Sequence, residues 1–116
     1  MNEHNRIDYI ELPAASVAEL AAAKAFYTQA FGWSYKDWGD DYADTNDSGV
    51  SSGINADADH KPSAPLPVIH VADIDAARAG VAAAGGMITR DIFSFPGGRR
   101  FHFKDPAGNE LAAWSE

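Results

Sequence analysis

The chain carries one supersecondary pattern twice, and this repeat restricts the possible folds more than any other feature. In each copy a short apolar strand precedes a capped, alanine-rich helix, and glycine ends the helix before more strands follow. The first helix is predicted to begin at Ser16 and stop at Gly32, and the second to begin at Asp73 and stop at Gly85. The two helix starts lie about half the chain apart, which indicates two related modules.

One strand is predicted before each helix and three after it. The predicted strands are Ile7–Leu12, Trp33–Trp38, Tyr42–Thr45 and Gly49–Asn55 in the first copy, and Pro67–Val71, Met87–Asp91, Arg99–Phe103 and Asn109–Trp114 in the second. We therefore predict a single α+β domain over residues 1–116, made of two βαβββ modules at about 6–55 and 66–115 with a connector at 56–65. Their curved mixed sheets are expected to surround a cleft, with the helices outside.

Charge and residue content exclude several classes of function. With 17 acidic against 9 basic residues, the chain has a net charge of −8, which disfavours nucleic-acid binding. The absence of cysteine excludes disulfides and thiolate metal sites. The apolar runs are too short to span a bilayer, and the polar N-terminus lacks a signal-peptide core. We expect a cytoplasmic protein with a small-molecule partner, and neither a nucleic acid nor a membrane partner.

Three segments resemble one known family. They are Lys24–Trp33 at the end of the first helix, Val71–Asp75 at the second strand–helix unit, and Phe103–Asn109 before the last strand. The resemblance is to the glyoxalase, bleomycin-resistance and extradiol-dioxygenase superfamily, also called vicinal oxygen chelate proteins, and it covers nearly the whole chain. It implies that family's paired-module fold. Because family members often pair their modules within or between chains, we also expect a homodimer.

The resemblance also implies where a divalent metal would lie. Family enzymes hold the ion with His, Gln or Glu from the first and last strands of each half, and the matching positions here are Tyr9, Leu66 and Ala112. Leucine and alanine offer no donor atom, and a neutral tyrosine is a poor ligand for a divalent ion. We therefore predict no metal at this site and no cofactor, with a divalent metal bound only if the site is displaced.

Strand alternation places four candidate residues on the cleft side of their strands. Tyr9 and Glu11 lie on the first strand, His70 on the fifth and Trp114 on the last. Aromatic surface combined with one acid and one base suits a small organic ligand. With His102 added, the predicted ligand-binding residues are Tyr9, Glu11, His70, His102 and Trp114, and the catalytic candidates are Glu11 and His70.

His102 belongs to an alternating segment whose orientation the sequence leaves open. In residues 99–104, either Phe101 and Phe103 or the polar residues between them face the cleft. The same segment carries the one local basic cluster, formed by Arg99, Arg100 and Lys104. This cluster is the alternative ligand site if the ligand is an anion.

Three functions fit these observations. The first is a metal-free ligand-binding protein that resembles the bleomycin-resistance type, with a planar neutral or cationic ligand and Glu11 as its charge partner. The second is a lyase, isomerase or dioxygenase-type enzyme on the same fold, which uses Glu11 or His70 as a base or holds a displaced divalent metal. The third is a protein-interaction domain that acts through its sheet surface.

Overall fold

The computed structural model describes residues 4–116, and this part of the chain forms eight strands and two helices in the order βαβββ–βαβββ. The elements are β1 (Arg6–Pro13), α1 (Val17–Phe31), β2 (Lys36–Asp37), β3 (Tyr42–Thr45), β4 (Ser51–Asn55), β5 (Leu66–His70), α2 (Ile74–Ala83), β6 (Met87–Phe95), β7 (Gly98–Lys104) and β8 (Glu110–Ser115). The predicted α+β class and the duplicated module are confirmed. Neither helix combines the length and the apolar character that a membrane span requires.

The chain divides into two compact units. The first unit is Tyr9–Leu66, and the second is Pro67–Glu116 together with the described residues of the stretch 1–8. The boundary therefore falls within β1 and within β5.

The first unit has the strand order β2-β3-β4-β1. β3 pairs antiparallel with β2 and with β4, whereas β1 runs parallel to β4. Helix α1 begins where the Ser16 hydroxyl accepts a hydrogen bond from the Glu19 backbone N–H, and it ends at Gly32, whose φ of 77° is left-handed. Leu20 of the helix packs on Ala43 and Ile54 of the sheet.

The second unit repeats this arrangement with the order β5-β8-β7-β6. β7 pairs antiparallel with β6 and with β8, and β5 runs parallel to β8. The Asp73 carboxylate caps α2 by accepting hydrogen bonds from the first backbone N–H groups of the helix. Ile74 of α2 packs in the core of this unit with Phe101 and Phe103 of β7.

Two expectations about the first unit were wrong. The strand predicted over Trp33–Trp38 is only Lys36–Asp37. Backbone groups before it form hydrogen bonds with side chains instead of with a neighbouring strand. The Asp47 carboxylate accepts from the Ser34 N–H at 2.8 Å, and the Thr28 hydroxyl donates to the Trp33 carbonyl at 2.7 Å. The second expectation concerns α1, where the helical spacing of Leu20, Ala23, Tyr27 and Phe31 predicts one buried apolar stripe. Phe31 is 64% exposed and contacts the rings of Tyr27 and Trp33 at the surface.

Candidate functional site

The first unit carries a polar cluster on the face of its sheet opposite α1. Ala43 and Ile54 point toward the helix, so their strand neighbours Tyr42 and Asn55 point to the other face. Tyr9 and Glu11 of β1 contact these side chains. We call Tyr9, Glu11, Tyr42 and Asn55 the Glu11 cluster.

Glu11 is the centre of this cluster and is only 2% exposed. The Tyr42 hydroxyl donates to its Oε1 at 3.3 Å, and the Asn55 amide donates to its Oε2 at 3.5 Å. The hydroxyls of Tyr9 and Tyr42 lie 2.5 Å apart. A buried carboxylate needs such donors, since desolvation penalises an ionised acid that is left without them. The structure therefore brings Tyr9 and Glu11 together, and it adds Tyr42 and Asn55, which sequence reasoning missed.

Gly53 makes room for the two tyrosines. It pairs with Glu11 across the β1–β4 ladder, and a Cβ atom at this position would overlap the hydroxyls of both Tyr9 and Tyr42. A glycine inside a strand commonly marks such a close approach. Its place within the predicted strand 49–55 was a sequence signal that could have led to the tyrosine pair.

The second unit shows which side of β7 carries His102. Phe101 and Phe103 pack under α2, so Arg100 and His102 lie on the opposite face of the sheet. Of the two orientations that the sequence left open, the structure has the polar residues of this segment on the face away from the helix. The predicted basic cluster is divided between the two faces, because Arg99 reaches Asp75 of α2 at 3.4 Å.

Arg100 and His102 are neighbours of aromatic and basic side chains from the adjacent strands. Across the ladders, Arg100 lies opposite Phe93 of β6 and Trp114 of β8, and His102 lies opposite Arg90 of β6. The Arg90 guanidinium lies 3.7 Å from the centre of the Phe93 ring, a cation–π distance, and that of Arg100 lies 5.4 Å from it. We call Arg90, Phe93, Arg100, His102 and Trp114 the cationic–aromatic face.

His102 is buried and electrostatically perturbed. It is 6% exposed, and its Nε2 has no hydrogen-bond partner among residues 4–116. Burial, followed by the positive charges of Arg100 and Arg90, lowers the pKa of His102 from 6.5 to about 4. Glu110 Oε2 lies 3.9 Å from His102 Nδ1, too far for a hydrogen bond, and instead accepts one from the Thr89 hydroxyl at 2.8 Å. His102 is therefore neutral at pH 7.

His70 has partners on both sides of its ring. Its Nδ1 lies 3.2 Å from Nδ1 of His4, and its Nε2 lies 2.6 Å from the Glu116 carboxylate. Hydrogen bonding from His70 holds the pKa of the Glu116 carboxyl below its usual value. The Trp114 ring meets His70 edge-on at 4.8 Å, and its indole N–H donates to Asp8 at 3.0 Å. His70 therefore joins the N-terminal stretch to the last residue of the chain.

The metal positions implied by the family resemblance do not fit a divalent ion. They hold Tyr9, Leu66 and Ala112, and the last two are 1% and 0% exposed. Within residues 4–116, no group of three or more His, Asp or Glu side chains is arranged to hold a metal. A structural or catalytic site for such an ion needs at least three protein donors, which this position does not supply.

An apolar depression of about 380 Å³ lies between α2 and the sheet of the second unit. Ala77, Val81 and Phe103 are among its lining residues, and Asn5 is the one polar residue in the lining. Ligand sites normally combine apolar surface with a few converging polar groups. This depression lacks the converging polar and ionisable side chains that the opposite face of the same sheet carries.

Comparisons with solved structures agree on the fold. The NAD-dependent benzaldehyde dehydrogenase from Legionella pneumophila superposes with a TM-score of 0.75 at 13% identity, over 92% of this chain and 96% of that one. The Mn(II)-bound glyoxalase from Novosphingobium aromaticivorans has a TM-score of 0.64 at 23% identity, over 97% of this chain and 39% of that one. A glyoxalase/bleomycin resistance protein/dioxygenase superfamily member from Vibrio splendidus 12B01 has a TM-score of 0.67 at 16% identity, over 93% and 97%.

Sequence comparison identifies the family. No curated protein matches the chain. The family model of the Glyoxalase/Bleomycin resistance protein/Dioxygenase superfamily matches residues 6–113, which is nearly the whole sequence. The match agrees with the duplicated βαβββ module and with the resemblance carried by the helix ends and the closing turn. This chain belongs to the glyoxalase/bleomycin resistance protein/dioxygenase superfamily.

Proposed function

We propose that this protein binds a small organic molecule without the metal ion that is common in its family. The observation that carries the proposal is that each unit buries an ionisable side chain on the sheet face opposite its helix. These side chains are Glu11 in the first unit, at 2% exposure, and His102 in the second, at 6% exposure; the second unit also buries His70, at 2% exposure. Burial of ionisable groups is costly, and such groups concentrate at functional sites.

Both faces offer the mixture of groups that small ligands require. The Glu11 cluster combines a carboxylate with two phenols, and the cationic–aromatic face combines guanidinium groups with aromatic rings. We assign ligand contact to Tyr9 and Glu11 if the first unit holds the ligand, and to His102 and Trp114 if the second unit does. His70 receives a supporting role, because its two ring nitrogens already lie against His4 and Glu116.

A thermal-shift screen of chelator-treated protein tests the proposal. The compounds are aromatic carboxylates, aromatic amines and neutral aromatics, each measured with and without added Mn²⁺. A ligand present at about 100 times its dissociation constant stabilises the folded state by about 2.7 kcal/mol. For a chain of 116 residues this raises the melting temperature by roughly 10 °C.

We expect at least one compound class to give this shift in the presence of chelator. The shift should decrease in Glu11→Gln or in His102→Gln, depending on which face holds the ligand. The matched control Glu19→Gln changes an exposed carboxylate that hydrogen-bonds only near the start of α1. Shifts that occur only after Mn²⁺ is added would contradict the proposal.

A metal-independent enzyme is the second candidate, and the geometry of Glu11 favours it. Its carboxylate lies beside the Tyr42 hydroxyl, which in turn lies beside that of Tyr9. A positioned carboxylate of this kind would accept a proton from a bound substrate. If Glu11 is a general base, Glu11→Gln keeps the ligand-induced thermal shift but loses turnover of that ligand.

A further inference from the structure

We propose that the cationic–aromatic face of the second unit binds the carboxylate group of an aromatic acid. This inference rests on the proposed function and specifies the class of ligand. Arg90, Arg100 and His102 would contact the carboxylate, and the rings of Phe93 and Trp114 would contact the aromatic part. For this unit it replaces the sequence-based expectation of a neutral or cationic ligand.

The first support is the charge balance of Arg90. Two other arginines on the surface have acidic partners: Arg78 pairs with Asp91 at 2.7 Å and Arg99 with Asp75 at 3.4 Å. Arg90 forms no salt bridge with any residue between 4 and 116, and its guanidinium instead stacks on Phe93 at 3.7 Å. In a chain with a net charge of −8, an arginine whose guanidinium stacks on an aromatic ring rather than on a carboxylate is a specific feature. A carboxylate ligand would supply the missing counter-charge.

The second and independent support is the unsatisfied nitrogen of His102. Its Nε2 is buried and lacks a hydrogen-bond partner within the described part of the chain. Leaving a buried polar atom unpaired costs free energy, so such atoms usually have a bound partner. A neutral imidazole protonated at Nε2 would donate one hydrogen bond to a carboxylate oxygen. The Glu110 carboxylate lies 3.9 Å from the other ring nitrogen, Nδ1, and forms no hydrogen bond with Nε2.

The aromatic residues define the rest of the ligand. Phe95 and Trp114 lie with their ring centres 6.3 Å apart, and Phe93 and His102 lie 5.9 Å apart. The Arg100 guanidinium lies 6.0 Å from the Phe95 ring. Aromatic rings at such spacings pack edge-to-face or offset against a further planar group. The positive charge of Arg90 would repel an aromatic amine from the same surface.

Calorimetric titration of the chelator-treated full chain at pH 7.5 tests the inference. The probes are benzoate, cyclohexanecarboxylate, benzylamine and inorganic phosphate. We expect benzoate to bind more tightly than the other three. Arg90→Gln should weaken benzoate binding by about tenfold or more, because a charge-assisted hydrogen bond is lost.

Arg99→Gln is the matched control. Arg99 lies next to Arg100 on β7 but points to the α2 side, where it pairs with Asp75. The same loss of charge should therefore leave the benzoate dissociation constant within about twofold of its original value. Equal weakening in both variants would show a general effect of net charge and would overturn the inference.

A second readout does not depend on how well the Arg90 variant folds. The imidazole signals of His102, followed by NMR during a pH titration, should show a higher pKa when benzoate is bound, since a negative charge stabilises the protonated ring. An unchanged titration of His102 in saturating benzoate would overturn the assignment of the site.

The remaining outcomes separate this inference from the proposed function. Phosphate or cyclohexanecarboxylate binding as tightly as benzoate would overturn the aromatic class. Binding of benzylamine alone, lost in Glu11→Gln, would overturn the inference and leave the proposed function supported. Failure of all four probes here, together with no hit in the thermal-shift screen, would overturn both.

Discussion

Lowering the pH from 7 to 4 is expected to reduce the free energy of unfolding by about 3 kcal/mol through His102. The pKa of His102 is about 4 in the folded protein against 6.5 for an unperturbed histidine. Between pH 6.5 and about 4 the unfolded chain therefore binds a proton at His102 that the folded chain does not bind. The free energy of unfolding falls as the pH is lowered through this range. Each unit of pKa difference corresponds to about 1.36 kcal/mol.

Urea unfolding at a series of pH values measures this effect. His102→Gln should remove the loss between pH 6.5 and 4, although it retains a buried polar side chain. The charged groups that face His102 are Arg90, Arg100 and Glu110, and all three are unchanged in this variant. His60→Gln, which changes an exposed histidine, should keep the loss. Identical pH profiles for wild type and His102→Gln would show that His102 titrates normally in the folded protein.

Phe101→Ala is expected to destabilise the protein by about 4 kcal/mol, the usual cost of emptying a buried phenylalanine site. Phe101 is 0% exposed, packs in one core with Ile74 of α2, and lies 5.9 Å from the Phe103 ring centre. Truncation removes its apolar burial and leaves a cavity that close-packed neighbours fill only in part. The measurement is the free energy of unfolding in urea at pH 7.5.

Phe26→Ala is the control for this change. Phe26 is 58% exposed on α1, so the same truncation should alter the free energy of unfolding by only about 0.5 kcal/mol. A small effect of Phe101→Ala would mean that the aromatic side of β7 does not pack under α2. In that case the assignment of Arg100 and His102 to the opposite face would also be wrong.

The helices and the module order could be predicted because their signals are local. Ser16 and Asp73 cap the helices through hydrogen bonds to backbone groups two or three residues away, and Gly32 ends α1 in a conformation that few other residues adopt. Each signal lies within one turn of the feature it determines. Because these cap and stop signals occur twice, the βαβββ order can be predicted without knowledge of contacts between distant residues.

The partners of the candidate residues could not be predicted, because they depend on strand pairing. Tyr42 reaches Glu11 only through the register of β3, β4 and β1, which connects residues far apart in the chain. Register is set by the whole sheet and is weakly encoded in short polar strands.

Irregular pairing concealed the cationic–aromatic face in a different way. β6 changes register against β7 between Ile88 and Arg90, and again between Arg90 and Phe93. Simple alternation would place Arg90 and Phe93 on opposite faces, since they are separated by an odd number of positions. The irregularity brings both to the face of Arg100 and His102. A prediction that assumes strict alternation of side chains along β6 therefore does not find the cationic–aromatic face.

Elemental analysis by mass spectrometry tests most directly whether the protein works without the family's metal. The protein would be purified without chelators and dialysed, and Glu11→Gln would be treated in the same way. We predict far less than about one divalent ion per chain in both samples, because Tyr9, Leu66 and Ala112 do not form a donor set. About one manganese, zinc, nickel or iron ion per chain in the wild type, lost in Glu11→Gln, would contradict this and would show that the metal site has moved to the Glu11 cluster.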